Sequence, residues 1–384
     1  MALNTVSSDR LSTNVKNTNF TAAEKQDLTD DILPLAGQLG NRNLIINGAM
    51  QVAQRGTSST TFGYHTVDRF QTDGGGFDEI PTQAQVDVSS SDTPYTLGLT
   101  KAWKITNGNQ TSGAGAADYM RLNHKIEAQV IRNSGWNYKS SSSNITLSFW
   151  VKSSVAQTFY LTVKAEDSPS YLYATPYSAT TSWTKITKTI PGNSNLVFNN
   201  DNNSGLQVIW NLVAGTDRNN ATDGAWNTAD TSLATSNQVN FFDSTSNDFY
   251  LTGVQLEVGD TATDFEHRTF ADELARCQRY YFKISGTNAL IGHGFYYGST
   301  EVDVLVTFPV PFRATPTVTS SNNTDDFIFQ HYSDTFNTFG GIQYYNGDSL
   351  NMYAQANVSG TGGQAGYVRV NNASTGQVEF SSEL

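Results

Sequence analysis

Histidines and glycine loops are the first places to look for chemistry in this chain of 384 residues. The sequence contains five histidines: His65, His124, His267, His293 and His331. They are far apart, and none has a second His or a Cys at the spacing of a zinc site. The run of three glycines at 74–76 lacks the Lys and Ser of a phosphate-binding loop, and there is no G-x-S-x-G motif. The sequence therefore predicts no metal ion, no cofactor and no nucleophilic catalysis.

Paired carboxylates are the residues that glycoside hydrolysis requires. A glycosidase places two carboxyl groups roughly 5 to 10 Å apart across a sugar. The acidic pairs at 78–79, 166–167 and 325–326 are direct sequence neighbours, and neighbouring side chains on a strand point to opposite faces. We interpret them as solvated loop carboxylates and predict that the protein is not an enzyme. A polysaccharide depolymerase remains an alternative.

Aromatic residues in polar loops indicate a different chemistry, the stacking of rings on sugars. Sugars present apolar C–H faces that pack on flat side chains, while Asn and Asp bind the hydroxyl groups. The candidate carbohydrate-binding residues are Trp136, Tyr138, Trp226, Tyr296, Tyr297, Tyr332, Tyr344 and Tyr345. For each of them, ordinary packing under a loop is the alternative interpretation. The second group, from Tyr296 onward, is the preferred site of glycan contact.

Composition narrows the possible partners. The formal net charge is −12, whereas binding to nucleic acid needs a basic surface. No stretch approaches the roughly 18 consecutive apolar residues of a membrane span, and the N-terminus lacks the pattern of a signal peptide. The single cysteine, Cys277, permits no internal disulfide. We therefore expect synthesis in a cytoplasm, with no nucleic acid partner and no membrane insertion.

Hydrophobic periodicity predicts a mainly β protein. Residues 144–152 and 157–165 alternate apolar and polar side chains, which is typical of strands with one face in a core and one in water. Further candidate strands occur at wide spacing up to residue 258, a pattern that favours a jelly-roll β-sandwich. A second series, beginning at residues 301–308, predicts a C-terminal β-sandwich. Between the two series, a short helix is expected after Thr269.

The first 40 residues differ from the rest. The stretch at 21–24, Thr-Ala-Ala-Glu, has the spacing of a capping box, and it predicts a helix over residues 22–35. One apolar stripe on so short a helix is not stable alone, so it must pack on its own domain, on sister copies or on a larger assembly. We favour an attachment segment, with packing on the chain's own β module as the alternative.

Three sequence blocks carry a resemblance to a known class of protein. Residues 249–283 combine a strand, a charged corner and a helix that leads into Tyr280-Tyr281. Residues 43–50 (NLIINGAM), with Gln-Arg-Gly at 54–56 and TVDRF at 66–70, form the second block. The third is FPVPFRATPTVT at 308–319. Together they resemble segments of bacteriophage tail-fibre and receptor-binding virion proteins.

This resemblance implies a homotrimer in the virion, attached to other virion proteins through its N-terminal segment and adhering to host surface polysaccharide. The expected organisation is an attachment segment at 1–40, a jelly-roll sandwich at 41–267, a joint at 268–284 and a distal sandwich at 285–384. The charged residues Glu266, Arg268, Glu273 and Arg276 are expected to form ion pairs across the two modules or between chains. A capsid cement or head-fibre protein is the alternative location.

Overall fold

The computed structural model describes residues 41–76, 78–108, 115–228, 233–236, 241, 244, 247–331, 334–355, 357–372 and 374–384. The attachment segment at 1–40 with its helix, and the candidate Tyr332, lie outside these residues. What is described is mainly β, as the sequence predicted, with antiparallel sheets and short helices. Residues 43–384 belong to one compact unit, which contains two large hydrophobic cores.

Twelve strands precede the joint. They are β1 Ser58–Ser59, β2 Phe70–Gly75, β3 Thr82–Asp87, β4 Lys101–Thr106, β5 Tyr119–Glu127, β6 Asn144–Ser153, β7 Gln157–Ala165, β8 Tyr171–Ala179, β9 Thr184–Pro191, β10 Ser204–Ala214, β11 Trp226–Asn227 and β12 Asp248–Val258. One six-stranded sheet has the order β1-β3-β4-β12-β6-β9, and the other has β11-β8-β7-β10-β5-β2. Because the chain crosses repeatedly between the two antiparallel sheets, the arrangement is the expected jelly-roll sandwich.

Side chains from the inner faces of both sheets form the first core. Phe149 on β6 and Trp210 on β10 are fully buried, and their rings meet edge to face at 5.8 Å between centroids. Phe70 packs against Trp103 in the same way, also at 5.8 Å. Aromatic pairs of this geometry add to the stabilisation that comes from burying their area.

The outer face of the second sheet is less exposed than the alternating pattern predicts. On β10, the outward Gln207, Ile209 and Asn211 are buried along with the inward residues. The reason is a loop that crosses this face, since Asn211 Nδ2 donates to Leu233 O at 2.9 Å. The alternation of apolar and polar residues in a strand reflects how that strand packs in its own sheet. It does not reveal a distant loop that covers the polar face of the sheet.

Ten strands follow the joint. They are β13 Tyr281–Ser285, β14 Leu290–Tyr296, β15 Val302–Thr307, β16 Thr317–Ser320, β17 Phe327–Phe329, β18 Asp334–Phe336, β19 Gly341–Tyr345, β20 Ser349–Ala354, β21 Ala365–Val370 and β22 Gln377–Ser381. A three-stranded sheet has the order β13-β22-β16, and a seven-stranded sheet has β18-β17-β21-β14-β15-β20-β19. Together they enclose the second core, which is rich in Phe and Val, as expected for a C-terminal sandwich.

Three α-helices are present in the described residues: α1 Thr93–Thr96, α2 Ala128–Arg132 and α3 Phe270–Gln278. The last is the predicted linking helix. Its N-cap is Thr269, whose side chain accepts a hydrogen bond from Asp272 N at 3.2 Å. Cys277 faces inward and is fully buried, and this burial raises the pKa of its thiol. Helix α3 therefore contributes Cys277, a small apolar side chain, to the buried interior of the joint.

Candidate functional site

The block NLIINGAM (residues 43–50) lies against the end of β12. Asn43 Nδ2 donates to Val254 O at 3.1 Å, and its Oδ1 accepts from Leu256 N at 3.1 Å. A Cβ atom on Gly48 would lie 2.0 Å from Val254 O, so the backbone approach requires glycine. The block therefore binds the first sandwich as an added segment, and its asparagine and glycine have structural roles.

Three of the charged residues predicted at the joint, Glu266, Arg268 and Glu273, bind this same segment. Glu266 accepts from Asn43 N at 2.8 Å, and Glu273 accepts from Asn47 N at 2.5 Å. Arg268 Nη1 donates to Ile45 O at 2.9 Å and lies 3.5 Å from Glu273 Oε1, while the fourth, Arg276, is in the last turn of α3. Ion pairs of these residues across the modules or between chains stay a prediction.

The second block provides a buried carboxylate beside the C-terminal sandwich. Asp68 accepts from Gln54 N at 3.0 Å and from Gln54 Nε2 at 2.5 Å, and the same amide nitrogen donates to Tyr281 O at 3.0 Å. Arg55 Nη1 is 3.9 Å away, too far for a hydrogen bond. Burial, opposed by the bonds from Gln54, raises the pKa of Asp68 to about 6. Asp68 is thus a buried carboxylate without a cation at hydrogen-bond distance among the described residues, and it lies next to β13, the first strand of the distal module.

Arg69 joins the two modules from the centre of the interface. Its side chain is only 1% exposed, and its guanidinium carbon lies 3.5 Å from the ring centroid of Tyr280. Nη1 is ion-paired with Glu383, and Nη2 donates to Lys125 O at 2.8 Å. A planar guanidinium suits this position, because it can stack on an aromatic ring while its edge donates hydrogen bonds.

A second polar contact across the modules is centred on Glu127. Arg279 donates to it through Nε at 2.9 Å and Nη2 at 3.0 Å, and Tyr280 Oη donates at 2.6 Å. Burial alone would raise the pKa of Glu127, but the bonds from Arg279 and Tyr280 hold it below its ordinary value. The two parallel hydrogen bonds from the Arg279 guanidinium fix the orientation of the Glu127 carboxylate as well as its distance. The buried contacts of Glu127 with Arg279 and Tyr280 therefore help to fix the relative position of the two sandwiches. A solvent-exposed joint would not require such contacts.

Sequence reasoning missed most of these interface residues. Arg279 and Tyr280 belong to a block that we noted, whereas Glu127 and Glu383 lie in strands and ends without any distinguishing pattern. One usable signal was the Asp68-Arg69 pair between Val67 and Phe70 in TVDRF, since charged residues within an apolar stretch must find buried partners.

Three candidate aromatic residues support the first sandwich. Trp136 is buried, and its Nε1 donates to Ser143 O at 3.1 Å. Tyr138 packs edge to face on Phe198, with the ring centroids 4.9 Å apart. Trp226 lies in β11, is half-buried, and donates from Nε1 to Pro191 O at 2.8 Å. The structure therefore places each of these rings against protein, and Trp226 in a strand where we expected a loop.

The C-terminal candidates divide into buried and exposed rings. Tyr296 is 1% exposed and its hydroxyl donates to Asp334, while Tyr345 is half-buried with its hydroxyl bound to Phe312 O at 3.2 Å. In contrast, Tyr297 and Tyr344 are 71% and 75% exposed. These two rings remain accessible to a ligand.

Tyr344 is the end of a row of side chains across the outward face of the seven-stranded sheet. Cross-strand pairing connects Tyr367, His293, Leu305, Asn351 and Tyr344, in that order. With strands about 4.8 Å apart, the row extends for about 19 Å. We call this surface, together with Phe295 and Tyr297, the outward face. Its apolar members, Phe295, Leu305 and Tyr367, are exposed too.

Amide and carboxylate groups lie between these apolar side chains. Gln343 Nε2 is 3.2 Å from Glu301 Oε1 and 3.4 Å from Asp303 Oδ1, and Asn351 Nδ2 donates to Gln343 Oε1 at 2.7 Å. Burial, together with the nearby Glu301 carboxylate, raises the pKa of Asp303. The outward face thus presents rings and aliphatic groups beside a connected set of donors and acceptors. Such a surface can bind a ligand that has both apolar and hydroxyl-bearing sides.

The described residues contain neither a metal-binding cluster nor a membrane-spanning helix. Among the residues that the structure describes, no group of three or more His, Cys, Asp or Glu side chains has the geometry to hold a metal ion. Within the same set of residues, no helix has the length and apolar character needed to cross a bilayer.

No protein-family description and no curated protein matches the chain. Solved structures with partial similarity include a putative sugar binding protein from Bacteroides thetaiotaomicron, with 12% identity, a TM-score of 0.31 and coverage of 57% of this chain and 100% of that one. The family 11 carbohydrate-binding module of Clostridium thermocellum has 12% identity and a TM-score of 0.26, covering 55% and 98%. Tailspike protein 4 of bacteriophage CBA120 has 8% identity and a TM-score of 0.29, covering 56% and 21%. At these values, none of the similarities assigns a family or a function.

Proposed function

We propose that this protein is a non-catalytic adhesin whose outward face binds a surface glycan. The observation that supports this most directly is the exposure of Tyr344 and Tyr297, at 75% and 71%, beside a network of side-chain amides. Large exposed apolar groups bordered by polar ones are typical of binding sites on soluble proteins. A sugar satisfies both kinds of group, because its ring face stacks while its hydroxyls bond to Gln343 and Asn351.

The carboxylates on this face support binding over hydrolysis. Glu301 and Asp303 both accept from the one Nε2 atom of Gln343, at 3.2 and 3.4 Å. A glycosidase must accommodate the scissile bond between its two carboxyl groups. Because the Gln343 amide lies within hydrogen-bond distance of both carboxylates, its side chain occupies the position that the scissile bond would need. This arrangement is the reason that we rank a depolymerase below an adhesin.

Binding to a panel of immobilised bacterial surface polysaccharides tests the proposal. We expect Tyr344→Ala and Tyr297→Ala each to weaken binding about tenfold, the loss expected when one stacked ring is removed. Tyr95→Ala, at an exposed ring on α1, is the matched control and should bind like the unmodified protein. The same incubations are assayed for new reducing ends, and we expect none.

Two results would contradict the proposal. Binding that is unchanged in both tyrosine variants would remove the outward face as the site. Reducing ends that form with the unmodified protein and disappear in Glu301→Gln or Asp303→Asn would make it an enzyme.

We further propose that the adhesin is a trimeric tail-fibre or receptor-binding protein of a bacteriophage. Three sequence blocks resemble segments of such proteins. All three contribute to the joint region or border it, so they share a structural role. Linked copies raise avidity by about 10² to 10⁴ without new contacts, so weak single sites would suffice. An antibody raised against the purified protein should label the tails of purified particles. Labelling of tailless capsids would instead support a capsid cement protein.

A further inference from the structure

A groove of about 520 Å³ lies beside the outward face, between β13, β14 and β15. It shares His293 and Leu305 with that face, so a ligand lying along the row of exposed side chains can continue into it. Leu290 and Leu305 are both 53% exposed. The groove is therefore an extension of the proposed glycan site with its own walls.

The groove exists because two neighbouring strands separate. The ladder between β14 and β15 ends at the pair His293 and Leu305. Beyond it, the start of β14 pairs with β21 and the end of β15 pairs with β20. Antiparallel hydrogen bonding alternates along a ladder, and the bond from Tyr297 N to Glu301 O sets the phase. Continuing that phase past Leu305 on β15 turns the main-chain groups of Thr307 toward the groove, whereas on β14 a register shift between Leu290 and Gly292 interrupts the phase.

The third wall is the free edge of β13. In the described part of the C-terminal sandwich, this strand pairs with β22 alone. Ser382 N donates to Tyr280 O at 2.8 Å, which assigns the even-numbered residues of β13 to that ladder. The N–H and C=O groups of Lys283 and Ser285 therefore point away from β22, and both residues line the groove. Unpaired strand edges are ready to bond to a ligand that offers donors and acceptors.

Charge distinguishes the groove from the rest of the protein. The formal net charge of the chain is −12, yet the described residues that line the groove include Lys283 and His293 and no carboxylate. Lys283 Nζ is ion-paired with Glu379 Oε1 at 3.7 Å, which is beyond hydrogen-bond distance, so its N–H groups can still donate to a ligand. The groove thus presents one cationic donor, whose charge Glu379 partly compensates, together with the His293 imidazole.

We propose that this groove binds a carboxylate-bearing sugar residue, so that the glycan recognised by the protein is acidic. The Lys283 ammonium and the His293 imidazole donate to the sugar carboxylate, and the main-chain groups of Thr307 and Ser285 bond to its hydroxyls. The carboxylates Glu301 and Asp303 lie at the other end of the outward face and repel an acidic group there, which orients the chain. This inference rests on the glycan-binding function proposed above.

Carboxyl reduction provides a matched test. The probes are polygalacturonate, alginate, hyaluronate and polysialate, and each of them after its carboxyl groups have been reduced to alcohols. We expect at least one acidic polymer to bind about tenfold more tightly than its reduced form at low salt, the ratio expected for one charge-assisted hydrogen bond. The preference should decline as salt is raised. Lys283→Gln should abolish the preference for the acidic polymer. Lys185→Gln, on the exposed strand β9, should retain the preference.

The outcomes separate the two proposals. If acidic and reduced polymers bind equally, or if Lys283→Gln keeps the preference, the acidic-sugar subsite is wrong and glycan binding stands. If neither form of any polymer binds, and the polysaccharide panel above also fails, the glycan function itself is wrong and the subsite fails with it.

Discussion

Arg69→Met should lower the free energy of unfolding by about 3 to 5 kcal/mol, the cost of removing one partner from a buried ion pair. The substitution retains an unbranched side chain but removes the guanidinium that lies between Tyr280, Lys125 O and Glu383. Glu383, whose side chain is 8% exposed, would retain Arg55 Nη1 at 3.3 Å as its cation. Equilibrium unfolding in urea, followed by tryptophan fluorescence, measures the loss.

Arg121→Met is the control for this experiment. Arg121 also forms an ion pair, with Asp73 at 2.5 Å, but their side chains are 22% and 35% exposed. Exposed pairs contribute about 0 to 1 kcal/mol, so this variant should be nearly neutral. Adding Glu383→Gln to Arg69→Met should recover part of the loss, because Glu383 is then no longer a buried charge whose remaining cation is Arg55 at 3.3 Å. Equal losses in the two single variants would mean that the buried arginine does not stabilise the joint.

Asp68→Asn should change the pH dependence of stability. The pKa of Asp68 in the folded protein is about 6, raised by burial above its ordinary value near 3.9. A group whose folded pKa is raised stabilises the protein fully below the unfolded pKa, and that contribution is lost as the pH rises through the folded pKa. Between pH 4 and pH 7 the unmodified protein should therefore lose about 2 kcal/mol relative to Asp68→Asn, since each pKa unit corresponds to about 1.4 kcal/mol and the unfolded carboxyl is already partly ionised at pH 4.

The measurement is the difference between the two unfolding free energies at each pH, because other groups then cancel. His124, for example, is buried beside Arg69, and burial holds its pKa well below the ordinary value, so it opposes Asp68 in the wild-type curve. Asp73→Asn, at an exposed ion pair, controls for the loss of a surface carboxylate. Parallel curves for Asp68→Asn and the unmodified protein would show that folding does not change the pKa of Asp68.

The mainly β fold and many of its strands could be predicted from local pattern. Residues 157–165 were predicted as a strand and form β7 with the same limits, and residues 144–152 differ from β6 by one residue. Both have Leu, Phe and Val on one face, and a period of two is set by strand geometry alone. The linking helix was also predictable, since Thr269 caps it through a local hydrogen bond.

Two strands that contain residues unusual in strands, β8 and β14, were not predicted from the sequence. β8 contains Pro176, and a proline normally argues against a strand interior. It is tolerated because β11 pairs with Leu172 and Tyr173, so that, among the described residues, no strand bonds to β8 beside the proline on that side. In β14, Gly294 interrupts the apolar alternation, and its place is explained by Asp303 O, which a Cβ atom would approach to 2.2 Å. Both explanations require knowledge of the neighbouring strand.

The sequence alone determined the residue types of the binding chemistry and the period of the strands. It could not determine which tyrosines are exposed, since Tyr296 and Tyr297 are neighbours in the chain, with one buried and one accessible. Nor could it pair Arg69 with Glu383, which is 314 residues away. Local pattern depends on the geometry of one strand, whereas burial and charge pairing depend on what the rest of the chain brings alongside it. The tertiary structure alone therefore decided the outward face, the groove and the joint.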